Sequence, residues 1–336
     1  MPTVAGSARY NPMVTMSVLS GEGIGREIER RYQIGKVQHC FLLRAAINHF
    51  YVVVTDAGRF AARVSLGDWR TRAQTDLESS FQKHLKKAGV SVVTPLPTVC
   101  ESYCFGLEAP EGERSVVVYE WVQETELSTR ADMKNMRELG SLVATMHIAC
   151  GQFEFDLGPV QVLSVEEALV EWIPFLHPHL ESRRSDADVI AHLAEVSVDR
   201  YRTLASGQAP CSIVHGDMHA GNALIDEFDM ITLLDFDFCG RGPIVYDVAS
   251  HLWGSEQLGL DPGLNAAFLA GYEAVRPLTR VECDALPGLI VAKAIWWLAL
   301  RASLVDRLGS TMFTRRSIDW FMERLKRDAL AAGMLP

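Results

Sequence analysis

The residues with the clearest chemical potential lie in one segment, His215-Gly216-Asp217-Met218-His219-Ala220-Gly221-Asn222, followed by Leu233-Leu234-Asp235-Phe236-Asp237. An Asp and an Asn five residues apart, with a second Asp on an apolar run shortly after, can align a hydroxyl nucleophile with a magnesium–nucleotide. Phosphoryl transfer asks for a group to orient the attacking oxygen, oxygen ligands for Mg²⁺ and positive charge on the phosphates. Asp217 suits the first task, and Asn222 and Asp235 suit the second.

The elements needed to position them can be read nearby. Residues 211–214 form a short β run that leads into the loop ending at Asn222. Residues 223–226 and 230–234 form a hairpin across a turn at Glu227-Phe228-Asp229. Such a hairpin brings Asn222 and Asp235 side by side at its open end. Both are hard oxygen donors, and two protein ligands leave room for phosphate oxygens and water.

With these motifs the chain resembles the aminoglycoside phosphotransferase family, which includes choline-kinase-like and homoserine-kinase-like small-molecule kinases. The resemblance implies an α+β, bilobal, protein-kinase-like fold. Its small β-rich N-terminal lobe would span residues 1–122, and its larger, mainly α-helical C-terminal lobe residues 123–336. It implies Asp217 as catalytic base, His215 as an orienting residue, and Asn222 and Asp235 as Mg²⁺ ligands; we add Asp237 as an aid to a second Mg²⁺ or a water beside it. The segment Gly240-Arg241-Gly242-Pro243-Ile244-Val245-Tyr246-Asp247 is similar to the family's stretch after the metal Asp, where an Asp braces the catalytic loop.

Upstream, residues 48–55 and 59–65 are β-rich runs joined by Asp56-Ala57-Gly58, a hairpin signal. By resemblance, Arg63 meets the nucleotide phosphates and Glu78, on a helix ended by Gly89, pairs with it. The backbone from Glu120 to Val122 would bind adenine at an inter-lobe hinge. Asn48 stands where the family often has Asn, yet the first hairpin lacks the family's Gly or Ser. The cluster Gly21-Glu22-Gly23-Ile24-Gly25 is no substitute: no strand precedes it, and Ser20 reads as the N-cap of a helix.

Composition is compatible with this reading without producing it. The chain has 336 residues, 48% of them hydrophobic, enough for a sizeable core in two lobes. A net charge of −10 argues against nucleic acid as a partner. The 7 cysteines are scattered and match no zinc-ligand spacing, as expected of reduced thiols in a cytoplasmic protein. The first twenty residues have no secretory pattern. Residues 286–305 are apolar but interrupted by Lys293 and Arg301, which favours a buried or substrate-facing helix over a membrane span. A monomer or homodimer acting on a small-molecule hydroxyl, with ATP and Mg²⁺, is expected.

Helical periodicity dominates the C-terminal part, over residues 132–149, 165–204, 263–274, 279–306 and 315–332. Related enzymes build the acceptor cleft from such helices, so Trp253, Glu256, Trp296, Trp297 and Arg301 are substrate-contact candidates, although core packing explains a tryptophan equally well. His147 reads as a hydrogen-bonded core histidine. The bland alternatives for the catalytic set are a turn residue at Asp217 and a simple helix N-cap at Asp247. Three other functions compete: a serine/threonine protein kinase of the same fold, a metal-dependent hydrolase using His215, Asp217, His219, Asp235 and Asp237, and a catalytically silent module. Gly216 in place of the catalytic-loop Arg, and twelve residues from Asp235 to Asp247, leave no room for a long activation segment.

Overall fold

The structure, a computed structural model, describes residues 14–67, 69–122, 124–151, 165–309 and 313–335. Contacts divide the chain into two compact units, one of residues 1–84 and 93–122, the other of residues 85–92 and 123–336.

The first unit is a five-stranded antiparallel sheet with helices. Its elements are α1 (Gly21–Arg31), β1 (Val37–Ala45), β2 (His49–Thr55), β3 (Gly58–Val64), α2 (Arg72–Lys87), β4 (Cys104–Ala109) and β5 (Gly112–Glu120), and the strand order is β1-β2-β3-β5-β4. The last turn of α2 belongs to the second unit. Alternation sends Tyr51, Val53, Ala62, Val64, Val116 and Val118 to one core, where Ile24 and Ile28 of α1 meet them. The glycine cluster opens α1, and Ser20 accepts from the N–H of Gly23. Gly21 serves packing: a Cβ there would sit 2.2 Å from the Cys40 carbonyl oxygen. The Asp56-Ala57 turn closes β2 on β3, pairing Thr55 with Gly58. Gly89, at φ +86°, ends α2 as expected.

The second unit is mainly helical. In chain order it holds β6 (Thr125–Glu126), α3 (Met133–Cys150), α4 (Val165–Trp172), α5 (His177–Leu180), α6 (Arg184–Thr203), β7 (Cys211–Val214), β8 (Ala223–Ile225), β9 (Ile231–Leu233) and β10 (Gly240–Pro243). Helices α7 (Val245–Gln257), α8 (Gly263–Val275), α9 (Arg280–Ser303), α10 (Val305–Leu308) and α11 (Arg315–Ala331) complete it. The helical pattern over residues 165–204 is broken: Pro174 sits in a 3-10 turn (Ile173–Leu176) and Pro178 in the single turn of α5, so three helices replace one. Asp132 caps α3, accepting from the N–H of Asn135. Thr279 and Glu282 form a reciprocal capping box at the start of α9. Helix α9 is the one described helix long and apolar enough to cross a membrane, and 61% of its apolar window is buried in the protein. Val291, Ala294, Ile295 and Leu298 of α9 join Trp253 of α7 and Phe321 and Leu325 of α11 in one core.

Candidate active site

The catalytic segment is held between two small pairings of the second unit. Strands β7 and β10 pair antiparallel, Val214 opposite Gly240, so the chain leaves the sheet at His215. Strands β8 and β9 form the hairpin read from sequence, β8 one residue shorter at the turn and β9 one residue shorter at each end, with Ala223 opposite Leu233. Asp226 stabilises its turn by accepting from the N–H groups of Phe228 and Met230, both at 2.8 Å. At the open end, the N–H of Leu234 donates to the Asn222 carbonyl at 2.9 Å, which sets Asp235 beside Asn222.

Each loop residue then has a defined place. Gly216 has φ +82°, and a Cβ there would lie 2.1 Å from the Phe238 carbonyl oxygen, so only glycine fits. His215 is fully buried; its Nδ1 accepts from the N–H of Asp217 at 3.3 Å and its Nε2 donates to the Leu234 carbonyl at 2.7 Å. Burial lowers its pKa, with Asp247 opposing, so the ring is a neutral brace rather than a proton carrier. The side-chain nitrogen of Asn222 donates to the Asp217 carbonyl at 2.8 Å, which turns its amide oxygen the other way. Asp235 adopts the left-handed conformation, φ +54°, and Asp237 is buried in the 3-10 turn that follows.

Asp217 is the electrostatic focus. Its Oδ1 accepts from Lys293 Nζ at 2.8 Å, and its Oδ2 lies 3.6 Å from His219 Nε2 and 3.4 Å from the Asn222 side-chain nitrogen. Burial alone would push this carboxyl up, but Lys293 and His219 outweigh it and hold the group well below the usual carboxylate range. Asp247 lies within the first turn of α7, which begins at Val245, so it is not the helix N-cap. Its carboxylate instead accepts from the N–H of His215 at 2.7 Å and of Gly216 at 2.8 Å. His147 Nε2 completes it at 3.1 Å while His147 Nδ1 contacts the Tyr272 hydroxyl at 2.8 Å, the core role expected of that histidine.

In the first unit, Arg63 of β3 and Glu78 of α2 form a two-pronged ion pair, both N–O distances 2.8 Å, with side chains 3% exposed. Asn48 is buried in the turn between β1 and β2. Glu120 ends β5 and Val122 follows it, partly exposed.

The acceptor candidates gather elsewhere in the second unit. Trp253 lies 5.2 Å from Trp297, which stacks on Phe321 at 6.4 Å, and the Arg301 guanidinium sits 4.4 Å over the Trp297 ring. Glu256 pairs with Arg324 and, at 2.9 Å, with Arg327 of α11. These four cluster with one another and with α11, whereas Trp296 stands beside Lys293, its ring centroid 3.6 Å from Nζ. Lys293 is the residue missed in the sequence as part of the site. In sequence it shows only as a lysine interrupting an apolar helix; its full burial, and so its need for a partner, appears in the fold.

Comparison with known proteins gives the family. Residues 41–280 match the model of the phosphotransferase enzyme family. The chain belongs to that family, and it is a kinase-type phosphotransferase. Among its relatives, an uncharacterized protein of Deinococcus radiodurans is 31% identical over 321 residues, covering 93% of this chain and 90% of its own. A homoserine kinase of Polaromonas naphthalenivorans is 27% identical over 260 residues, 75% of this chain and 78% of its own. Among solved structures, amicoumacin kinase hAmiN, in complex with AMP-PNP, Ca²⁺ and Ami, aligns with a TM-score of 0.74 at 17% identity, over 92% of this chain and 94% of its own. A microcompartment-associated aminopropanol kinase aligns at 0.70 and 19% identity, over 93% and 96%. The fold is thus α+β and protein-kinase-like.

Proposed function

We propose that the protein transfers the γ-phosphoryl group of Mg-ATP to a hydroxyl of a compact small molecule: an amino alcohol, a hydroxy amino acid, an aminoglycoside or another natural product. The observation that carries this is the loop itself, in which the Asn222 side chain binds the Asp217 carbonyl and the Asn222 carbonyl takes the hairpin rung from Leu234, the residue before Asp235. The homoserine kinase relative and the aminopropanol kinase of like fold support an alcohol acceptor.

In this reading Asp217 accepts a hydrogen bond from the acceptor hydroxyl. As the oxygen–phosphorus bond forms and the bond to the ADP oxygen breaks, the hydroxyl proton passes to Asp217 late in the step. Mg²⁺, when bound, neutralises charge developing on the phosphate oxygens. The donor set fits that ion, since Asn222 and Asp235 offer oxygen and the Asn222 nitrogen is already committed to Asp217. Asp237, in the turn that follows Asp235, would serve a second ion or its water. Arg63, kept in place by Glu78, brings positive charge to the phosphates, and the backbone of residues 120–122 binds adenine, with Asn48 at the phosphate-side turn. Asp247 and His215 hold the loop. Trp253, Glu256, Trp297 and Arg301 are proposed as part of the acceptor region.

The hydrolase reading is disfavoured because both ring nitrogens of His215 are engaged within the protein. Among the described residues no cluster of three or more His, Cys, Asp or Glu side chains is set to hold a metal. A protein kinase is disfavoured by β10, which returns to pair with β7 directly after Asp235 and leaves no extended platform.

The test is an ATP-consumption screen against homoserine, aminopropanol, other hydroxylated amines, sugars and aminoglycosides, with mass spectrometry of the phosphorylated hit. On that acceptor D217N should lose about 10²–10⁴-fold in kcat with ATP binding retained. Wild-type turnover by D217N would remove Asp217 from its role.

A further inference from the structure

Lys293 lies at the middle of α9, 76 residues from Asp217 in sequence, with no exposed side-chain surface. A buried ammonium has three N–H donors to satisfy. Two are directed at the catalytic loop, to the Gly216 carbonyl and to Asp217 Oδ1, each at 2.8 Å. The ammonium also lies over the face of Trp296, 3.6 Å from the ring centroid. The ammonium's two hydrogen bonds both go to the catalytic loop, and the Trp296 and Tyr246 rings flank it.

We infer that Lys293 is a positioning residue for the transfer: it fixes the Asp217 carboxylate through Oδ1 and leaves Oδ2 as the oxygen that receives the acceptor proton. The inference rests on the reading of Asp217 as the base. The geometry separates the two oxygens by function. Oδ1 is bound to an ammonium that also holds the Gly216 carbonyl, so two consecutive residues of the loop share one anchor. Oδ2 faces His219 and the Asn222 amide at longer distances, 3.6 and 3.4 Å. A base free to turn about its side-chain bonds would meet the hydroxyl in a fraction of its conformations, and misplacement by about 1 Å costs on the order of 10²-fold in rate. Lys293 does not need to touch the substrate to matter; its effect runs through Asp217.

The experiment compares K293M, K293R, D217N and the double variant K293M/D217N on the full-length protein and the acceptor found by screening. K293M is expected to lose roughly 10–10²-fold in kcat with KM for ATP changed less than about two-fold. K293R, which keeps the charge and its donors, should recover part of that loss. Because the lysine acts through the aspartate, K293M/D217N should be no slower than D217N alone. A K293M enzyme with wild-type kcat, or losses that multiply in the double variant, overturns the inference. If K293M does not fold, K293Q, which keeps two N–H donors without the charge, takes its place in the same comparison. D217N at full activity would instead sink the reading of the base, which separates the two failures.

Discussion

Asp247 holds Gly216 by its backbone: the carboxylate Oδ1 accepts the glycine N–H at 2.8 Å, across 31 residues of sequence. With His215 N–H on Oδ2, one buried side chain satisfies two consecutive donors that no strand or helix pairs. The loop keeps its shape because this carboxylate is ionised and fully enclosed.

Removing it should therefore be costly. D247A leaves two buried N–H groups unpaired, and a loss of about 2–5 kcal/mol in folding stability is expected by urea denaturation. The pH dependence follows from the direction of its shift. Burial would raise the Asp247 carboxyl, but His147 and the loop N–H groups win and lower it. The group's contribution is thus fully present above about pH 4, the unfolded value, and is lost as pH falls through the lower native one. The difference in stability between wild type and D247N should shrink on acidification below pH 4; a constant difference would contradict the depressed carboxyl.

Gly216 is a second sensitive point. G216A must adopt a positive φ and move the Phe238 carbonyl, which lies 2.1 Å from the added carbon. Strain of about 1–3 kcal/mol is expected in thermal unfolding, with a fall in kcat as the loop shifts beneath Asp217. A G216A protein with unchanged Tm and turnover would show that the loop has slack that its contacts do not suggest.

The Arg63–Glu78 pair predicts a different outcome in the other unit. R63M leaves Glu78 charged in a nearly closed site, so a loss of about 3–5 kcal/mol is expected, together with a higher KM for ATP. R63K should restore only part of either, because an ammonium cannot reproduce the two parallel bonds. Full rescue by lysine would mean the fork is unimportant.

Lys293 and Asp217 should behave asymmetrically in stability. D217A strands a fully buried ammonium and is expected to cost about 3–5 kcal/mol. K293M replaces that ammonium with a chain of similar shape and leaves a carboxylate that is 18% exposed and can meet water. Its stability should change by less than about 1 kcal/mol, or rise. Guanidinium denaturation of both variants checks the order; equal losses would refute it.

What could be read beforehand follows the range of the interactions. Asp217, Asn222 and Asp235 are spaced by one loop and one hairpin, so type and separation were enough. Ser20 was equally legible as a cap because a cap is a contact three residues long, whereas the capping role of Asp132 appears only in the structure. Lys293 was not, since its meaning arises only when α9 crosses the loop; in sequence it is just a charge that interrupts an apolar stretch. Asp247 fell between these cases. Its bracing role followed from resemblance, while local pattern alone suggested a helix cap, and α7 in fact starts two residues earlier. Helix α2 buries Phe81 and Leu85, yet its buried residues also include Thr75, Glu78, Ser79 and Gln82. A helix that buries polar groups gives a poor hydropathy signal.

The return of β10 onto β7 has a bearing on control. The chain that follows Asp235 is stitched at once into a two-stranded ribbon, Gly240 to Pro243 against Val214 to Cys211, and then runs straight into α7. Nothing in that stretch is long enough to swing aside and dock back on command. An enzyme built this way is not expected to be switched by phosphate-driven docking of the stretch between Asp235 and Asp247.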